Sequence, residues 1–174
     1  MLLTLNQFEA AVPYVPYKRL ELILPNFNST CEKYFIGNQY RIAHFLTQLI
    51  VESNYFRLIQ ELGTGKEYEG LLGNAAAGDG RRYIGRGYLK IRGKTAYEEY
   101  KAFSAVDVAS YPHFVTTPRV AMDIAGWIWA KKGLNEAADE DNIFLITKAI
   151  TGDYLIIRER EDILMRVRKA LQVN

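Results

Sequence analysis

The sequence has little with which to staple a fold together. It holds one cysteine, Cys31, which excludes an internal disulfide, and two histidines, too few beside a single cysteine for a Cys/His zinc site. No run of about 18 apolar residues occurs, so no segment is fit to cross a bilayer as a helix and no membrane insertion is expected. The opening MLLTLNQFEA carries Glu9 and lacks a basic stretch ahead of a long apolar core, so it does not read as a signal peptide. The expectation is synthesis in the cytoplasm, and the sequon Asn28-Ser29-Thr30 then carries no weight. Internal repeats, low-complexity tracts and linkers are missing. Excess charge of one sign is missing too. A formal net charge of +2 and a pI near 8.6 suit an acidic polymer or an anionic wall but fall short of a nucleic-acid footprint.

What is present describes a folded chain. With 174 residues, 49% hydrophobic and 24% charged, the composition excludes a disordered protein and predicts one domain with a real core, spanning 1–174; a monomer is the expectation. Helical patterns dominate. A short helix is expected over 4–12, ended by Pro13, a second from Pro16 to Pro25, and a third from about Asn28 to Phe35, stopped by Gly37. A fourth starts near Asn38. Residues 61–87 are glycine-rich and irregular, and helical periodicity returns near Thr95. Thr117-Pro118 reads as an N-cap followed by proline at the first helical position, with Gly133 closing that helix. A last helix over 153–171 carries the charged run IRERED, read as a solvated face. The fold class is therefore mainly α, with at most a short β ribbon near 82–92.

Within the helix AHFLTQLIVESNYF, Ile42, Phe45, Leu46, Leu49 and Ile50 fall at i, i+3, i+4, i+7 and i+8 and make one apolar face. At about 100° per residue, Glu52 lies about 80° from the centre of that face, at the border of the core. A carboxyl group there is partly desolvated, which favours its neutral form and suits a general acid. The competing reading is a structural ion pair with an arginine. The segment GDGRRYIGRG invites a phosphate-loop reading, but it lacks the third glycine of a dinucleotide fingerprint, a preceding strand and a following Walker lysine. His44 is placed away from the apolar face and His113 in a loop, neither with a triad partner. Trp127 fits the stripe of Val120, Ile124 and Ile128, so core packing outweighs sugar stacking there, while Trp129 could do either.

Five blocks in order carry a family resemblance: AHFLTQLIVESNYF, EYEGLLGN, GDGRRYIGRGYLKIRGKTAY, AGWIWAKKGLNEAAD and ITKAITG. Together they resemble the chitinase-like enzymes of glycoside hydrolase family 19, and most of all the compact bacteriophage endolysins of that group, over about residues 38–152. The most specific piece is R-Y-x-G-R-G, Arg82 to Gly87. The resemblance implies a lysozyme-like, mainly α fold and hydrolysis of β-1,4 glycosidic bonds without metal or cofactor. The implied substrate is peptidoglycan or a chitin-like polysaccharide, and an endolysin would reach the wall by a holin or another delivery route. It also implies that Glu52, in Val51-Glu52-Ser53, is the general acid.

For the second acid the candidates are Glu61, Glu67 and Glu69. Glu61 lies at the spacing at which the compact endolysins place theirs, Thr64 is then placed to hold the attacking water, and Glu69 is the runner-up, with a solvated loop acid as its alternative. Nine residues of straight helix would turn Glu61 by about 180° and carry it about 13 Å from Glu52, so the helix is expected to end near Ile59. Tyr83, Arg86, Lys90, Arg92, Tyr97 and Thr151 are the implied substrate-binding positions. There the chain departs from the family: Lys90 replaces a sugar-binding glutamine, Arg92 a hydroxyl residue, Ala96 an asparagine, Thr151 another asparagine, and Val51 a histidine. Either the groove is retuned for a more anionic glycan, or the site is decaying towards a wall-binding module.

Overall fold

The computed structural model describes residues 2–173 and is mostly helical. In chain order these are α1 (Leu5–Ala11), α2 (Tyr17–Lys33), α3 (Gln39–Glu52), α4 (Asp79–Arg82), α5 (Gly93–Ser104), α6 (Pro118–Lys131), α7 (Leu134–Asp139), α8 (Ile143–Thr151) and α9 (Ile157–Leu171). Short 3-10 turns occupy Lys66–Tyr68 and Pro112–Thr116. Among the described residues no helix is long and apolar enough to cross a membrane. The ribbon expected near 82–92 reduces to isolated antiparallel bridges, Gln60 with Arg86 and Arg86 with Ile91.

Local chemistry sets most boundaries. Thr4 caps α1 in a reciprocal capping box with Gln7, and the Asn38 side chain caps α3 by accepting from Arg41 N. Two expectations fail. Pro25 does not end a helix: α2 runs through it, and the expected third helix is its continuation. Leu20, Ile23, Phe27, Thr30 and Cys31 form one buried stripe across the proline, while Pro25 itself is exposed. Burying that stripe outweighs the roughly 3 kcal/mol cost of a mid-helix proline. The last helix starts at Ile157 instead of Asp153, because Gly152 ends α8 in the left-handed region and Thr151 Oγ1 accepts from Asp153 N, turning the chain.

Helix α3 is the centre of the core. Ile42 through Ile50 are all buried, polar residues included, because α7, α8 and α9 pack around it. His44 therefore points inward, contrary to expectation, and its Nε2 donates to Asp141 at 2.8 Å. Trp129 is fully buried, with Nε1 donating to Asn135 at 2.9 Å, and Trp127 packs edge-on to Tyr100. Both tryptophans are core residues.

Candidate active site

Helix α3 ends at Glu52, well before the expected stop at Ile59. Ser53 ends it: its Oγ donates to Leu49 O and accepts from Phe56 N. Asn54, Tyr55 and Phe56 then take φ of 46°, 57° and 60°, three consecutive non-glycine residues in the left-handed region. Each such residue costs roughly 1–2 kcal/mol. Phe56, buried edge-on against Phe8 and Tyr88, anchors this left-handed turn, and Arg19 donates to its carbonyl. The turn reverses the chain, so Glu61 returns to a hairpin at 85–91 instead of continuing along the helix axis.

Glu52 has 17% of its side chain exposed and accepts through Oε1 from Arg160 Nη2. Arg160 exposes no surface, and its Nη1 donates to Gln48 Oε1. The expectation that IRERED is a solvated face thus fails at Arg160. The signal is in the sequence, since Arg160 falls at i with Ile163, Leu164, Val167 and Leu171 at i+3, i+4, i+7 and i+11, on the buried stripe of α9. The ion-pair alternative for Glu52 is therefore present in the fold, alongside its place at the exposed end of a buried helix.

Glu61, with 13% of its side chain exposed, is the meeting point of three donors. Gly85 N donates to Oε1 at 2.7 Å, Arg92 Nε to Oε2 at 2.7 Å and Tyr68 OH to Oε2 at 3.3 Å. Gly85 is required for close approach: a Cβ there would lie 2.5 Å from Glu61 Oε2. Burial drives the Tyr68 phenol up, with Glu61 adding to it and Arg92 opposing. Burial also pulls the Lys90 ammonium down to about 8; Glu52 and Glu61 pull it back up, and Arg92 pushes it further down. Arg92 in turn is drawn down by burial but raised overall by its bond to Glu61, with Glu52 contributing. Lys90 and Arg92 thus feel both candidate carboxylates, Glu52 at the end of α3 and Glu61 on the returning loop.

The other expected site residues divide. Arg92 keeps 40% of its side chain exposed beside Glu61. Lys90 does not offer its charge to a groove: it is 8% exposed, with Nζ donating to Leu58 O at 2.7 Å and Gly87 O at 2.9 Å. Tyr83 and Tyr97 are core residues. Tyr83 OH donates to Ala109 O, and Tyr97 OH donates to Ile84 O while accepting from Arg86 Nη1. Arg86 gives Nε to Gln60 Oε1 and Nη1 to Arg82 O, Ile84 O and Tyr97 OH, bracing the surrounding segments. The Thr151 hydroxyl closes the end of α8 through Thr147 O and Asp153.

Glu69 accepts from Gly78 N at 3.1 Å and braces the turn before α4, and Glu67 is exposed in the 3-10 turn at 66–68. Thr64 is exposed and accepts from Lys66 N at 3.4 Å. With Gln60, Lys66, Arg81 and Arg86 it lines an open depression of about 460 Å³.

No family model matches the sequence. Solved structures match it over nearly its whole length. A bacterial family 19 chitinase is similar with TM-score 0.82 at 15% identity, covering 100% of this chain and 97% of that one. Chitinase C from Streptomyces griseus HUT6037 is similar with TM-score 0.80 at 15% identity, covering 98% of this chain and 77% of that one. A class IV family 19 chitinase from Zea mays is similar with TM-score 0.68 at 19% identity, covering 99% of this chain and 83% of that one. The chain has the mainly α, lysozyme-like fold of the family 19 chitinases.

Proposed function

We propose that the chain hydrolyses β-1,4-linked amino-sugar polysaccharides with Glu52 as general acid and Glu61 as general base. The observation that carries this reading is the seating of Glu61, on the loop that returns after α3 ends at Glu52, against Gly85 N, Arg92 and Tyr68, which holds its carboxylate at a fixed place. Glu52 gives its proton to the glycosidic oxygen as the C1–O bond breaks. Glu61 takes a proton from the water whose oxygen bonds to C1 from the opposite face. Arg160 engages Oε1 of Glu52, which leaves Oε2 for the proton. Arg92, Tyr68 and Gly85 N fix the base. Thr64 follows Glu61 on the same loop, where its hydroxyl can meet the attacking water once substrate binds.

Within that class, peptidoglycan is the substrate we favour, supported by the exposed Lys66 and Arg81 on the depression that Thr64 lines, since lactyl and peptide carboxylates would meet cations there. Chitin is the second reading, favoured by the chitinases that share the fold. A wall enzyme of this kind would be made in the cytoplasm and delivered by a holin or another route. The test is a zymogram on purified peptidoglycan and on chitin, with wild type and Glu52→Gln side by side. Clearing by wild type alone supports hydrolysis and names the polymer. Binding to either polymer without clearing would leave a wall-binding module.

A further inference from the structure

Lys90 occupies a position where the resembling family carries a neutral sugar-contacting residue, yet here its ammonium is turned inward. Nζ donates to Leu58 O at 2.7 Å and to Gly87 O at 2.9 Å, two carbonyls from separate segments. Leu58 lies just before Glu61 in the chain, and Gly87 lies inside the hairpin closed by the reciprocal Arg86 and Ile91 backbone bonds. The same two segments are joined by Gly87 N to Ile59 O at 2.8 Å, Glu61 N to Gly85 O at 2.9 Å and Gly85 N to Glu61 Oε1 at 2.7 Å. Lys90 is the first rung of a ladder whose last rung is the Glu61 carboxylate.

Two carbonyls cannot bond to each other, so removing the ammonium leaves both without this donor in a place largely closed to water. Lys90 itself has φ of 55°, an uncommon conformation for a residue with a Cβ. We propose that Lys90 is a positioning residue for Glu61: its ammonium pins the 58–61 segment to the 85–91 hairpin and so fixes where the base carboxylate sits. The inference rests on Glu61 being the base. The charged groups that act on Lys90 are Glu52, Glu61 and Arg92, and burial brings its ammonium down to about 8. The clamp is charge-assisted below that pH and weaker above it.

The test uses the full chain as wild type, Lys90→Met and Lys90→Gln. In a folded Lys90→Met, kcat should fall by about ten- to a hundredfold, with KM changed by less than about twofold. Amide exchange at Glu61, Gly85 and Gly87 should quicken. The Glu61 carboxyl carbon signal should move near pH 8 in wild type and not in the variant. If Lys90→Met does not fold, the same readouts are taken on Lys90→Gln. Unchanged kcat, or a loss carried by KM, with an unaltered Glu61 signal would overturn the proposal. A wild type that cleaves neither polymer sinks the reading of Glu61 as base and this inference with it; an active wild type with an unperturbed variant sinks this inference alone.

Discussion

Arg160 donates to Glu52 Oε1 with a guanidinium that has no exposed surface. Removing it by Arg160→Met leaves Glu52 and Gln48 without their shared donor. Breaking a buried ion pair by deleting one partner costs about 3–5 kcal/mol. Glu52→Gln keeps the volume and an acceptor but leaves the buried guanidinium without its counter-charge, so it should destabilise as well. Thermal melts check this: both variants should melt well below wild type. A wild-type melting temperature in both variants would mean the pair does not hold α9 to α3.

Gly85→Ala tests Glu61 without touching it. The added Cβ would meet the Glu61 carboxylate at 2.5 Å from Oε2 and 2.6 Å from Cδ, so the carboxylate must move. Displacement of a reacting group by about 1 Å can cost on the order of a hundredfold in rate. The expected outcome is a folded variant with kcat down by about that factor. Retained activity would remove Glu61 from the reaction.

These residues also mark how far the sequence can be read. The stripe of α3 and the caps at Thr4 and Asn38 are legible because they depend on near neighbours in the chain. The border position of Glu52 is legible for the same reason. Its partner is harder to see, because IRERED looks solvated until Arg160 is placed on the stripe with Ile163 and Val167. The left-handed turn at 54–56 has no glycine to announce it; tertiary anchoring of Phe56 imposes it. Lys90 points inward against expectation because a cation's direction depends on which carbonyls the fold brings near it.

His44 makes stability depend on pH. Burial, with Arg168 adding to it, pulls its imidazole down to about 4, against an ordinary value near 6.5. As pH falls from about 6.5 to 4, the unfolded chain takes up a proton that the folded one refuses, so the folded state loses stability across that window. At about 1.4 kcal/mol per unit the loss is roughly 3 kcal/mol. Urea melts at about pH 7 and about pH 4.5, either side of most of that window, should show it, and His44→Phe should flatten the dependence. An unchanged slope in the variant would assign the acid sensitivity elsewhere.

The cations beside Thr64 bear on the choice of polymer. Lys66→Ala with Arg81→Ala should weaken binding to peptidoglycan fragments and reduce its salt dependence, since exposed charges are screened over about 10 Å at about 0.1 M salt. Binding to neutral chitin oligomers should change little. Equal effects on both ligands would argue against an anionic substrate.

Proton NMR of an early digest tests the central claim most directly. An inverting pair needs carboxyl groups roughly 6.5–9.5 Å apart, with room for a water between them. Wild type should therefore release the α-anomer first from a β-linked glycan, and Glu52→Gln should release no sugar at a comparable rate. A β-anomer appearing first would remove Glu61 as base. No new reducing end from wild type, or wild-type rates from Glu52→Gln, would contradict glycoside hydrolysis by these two carboxylates.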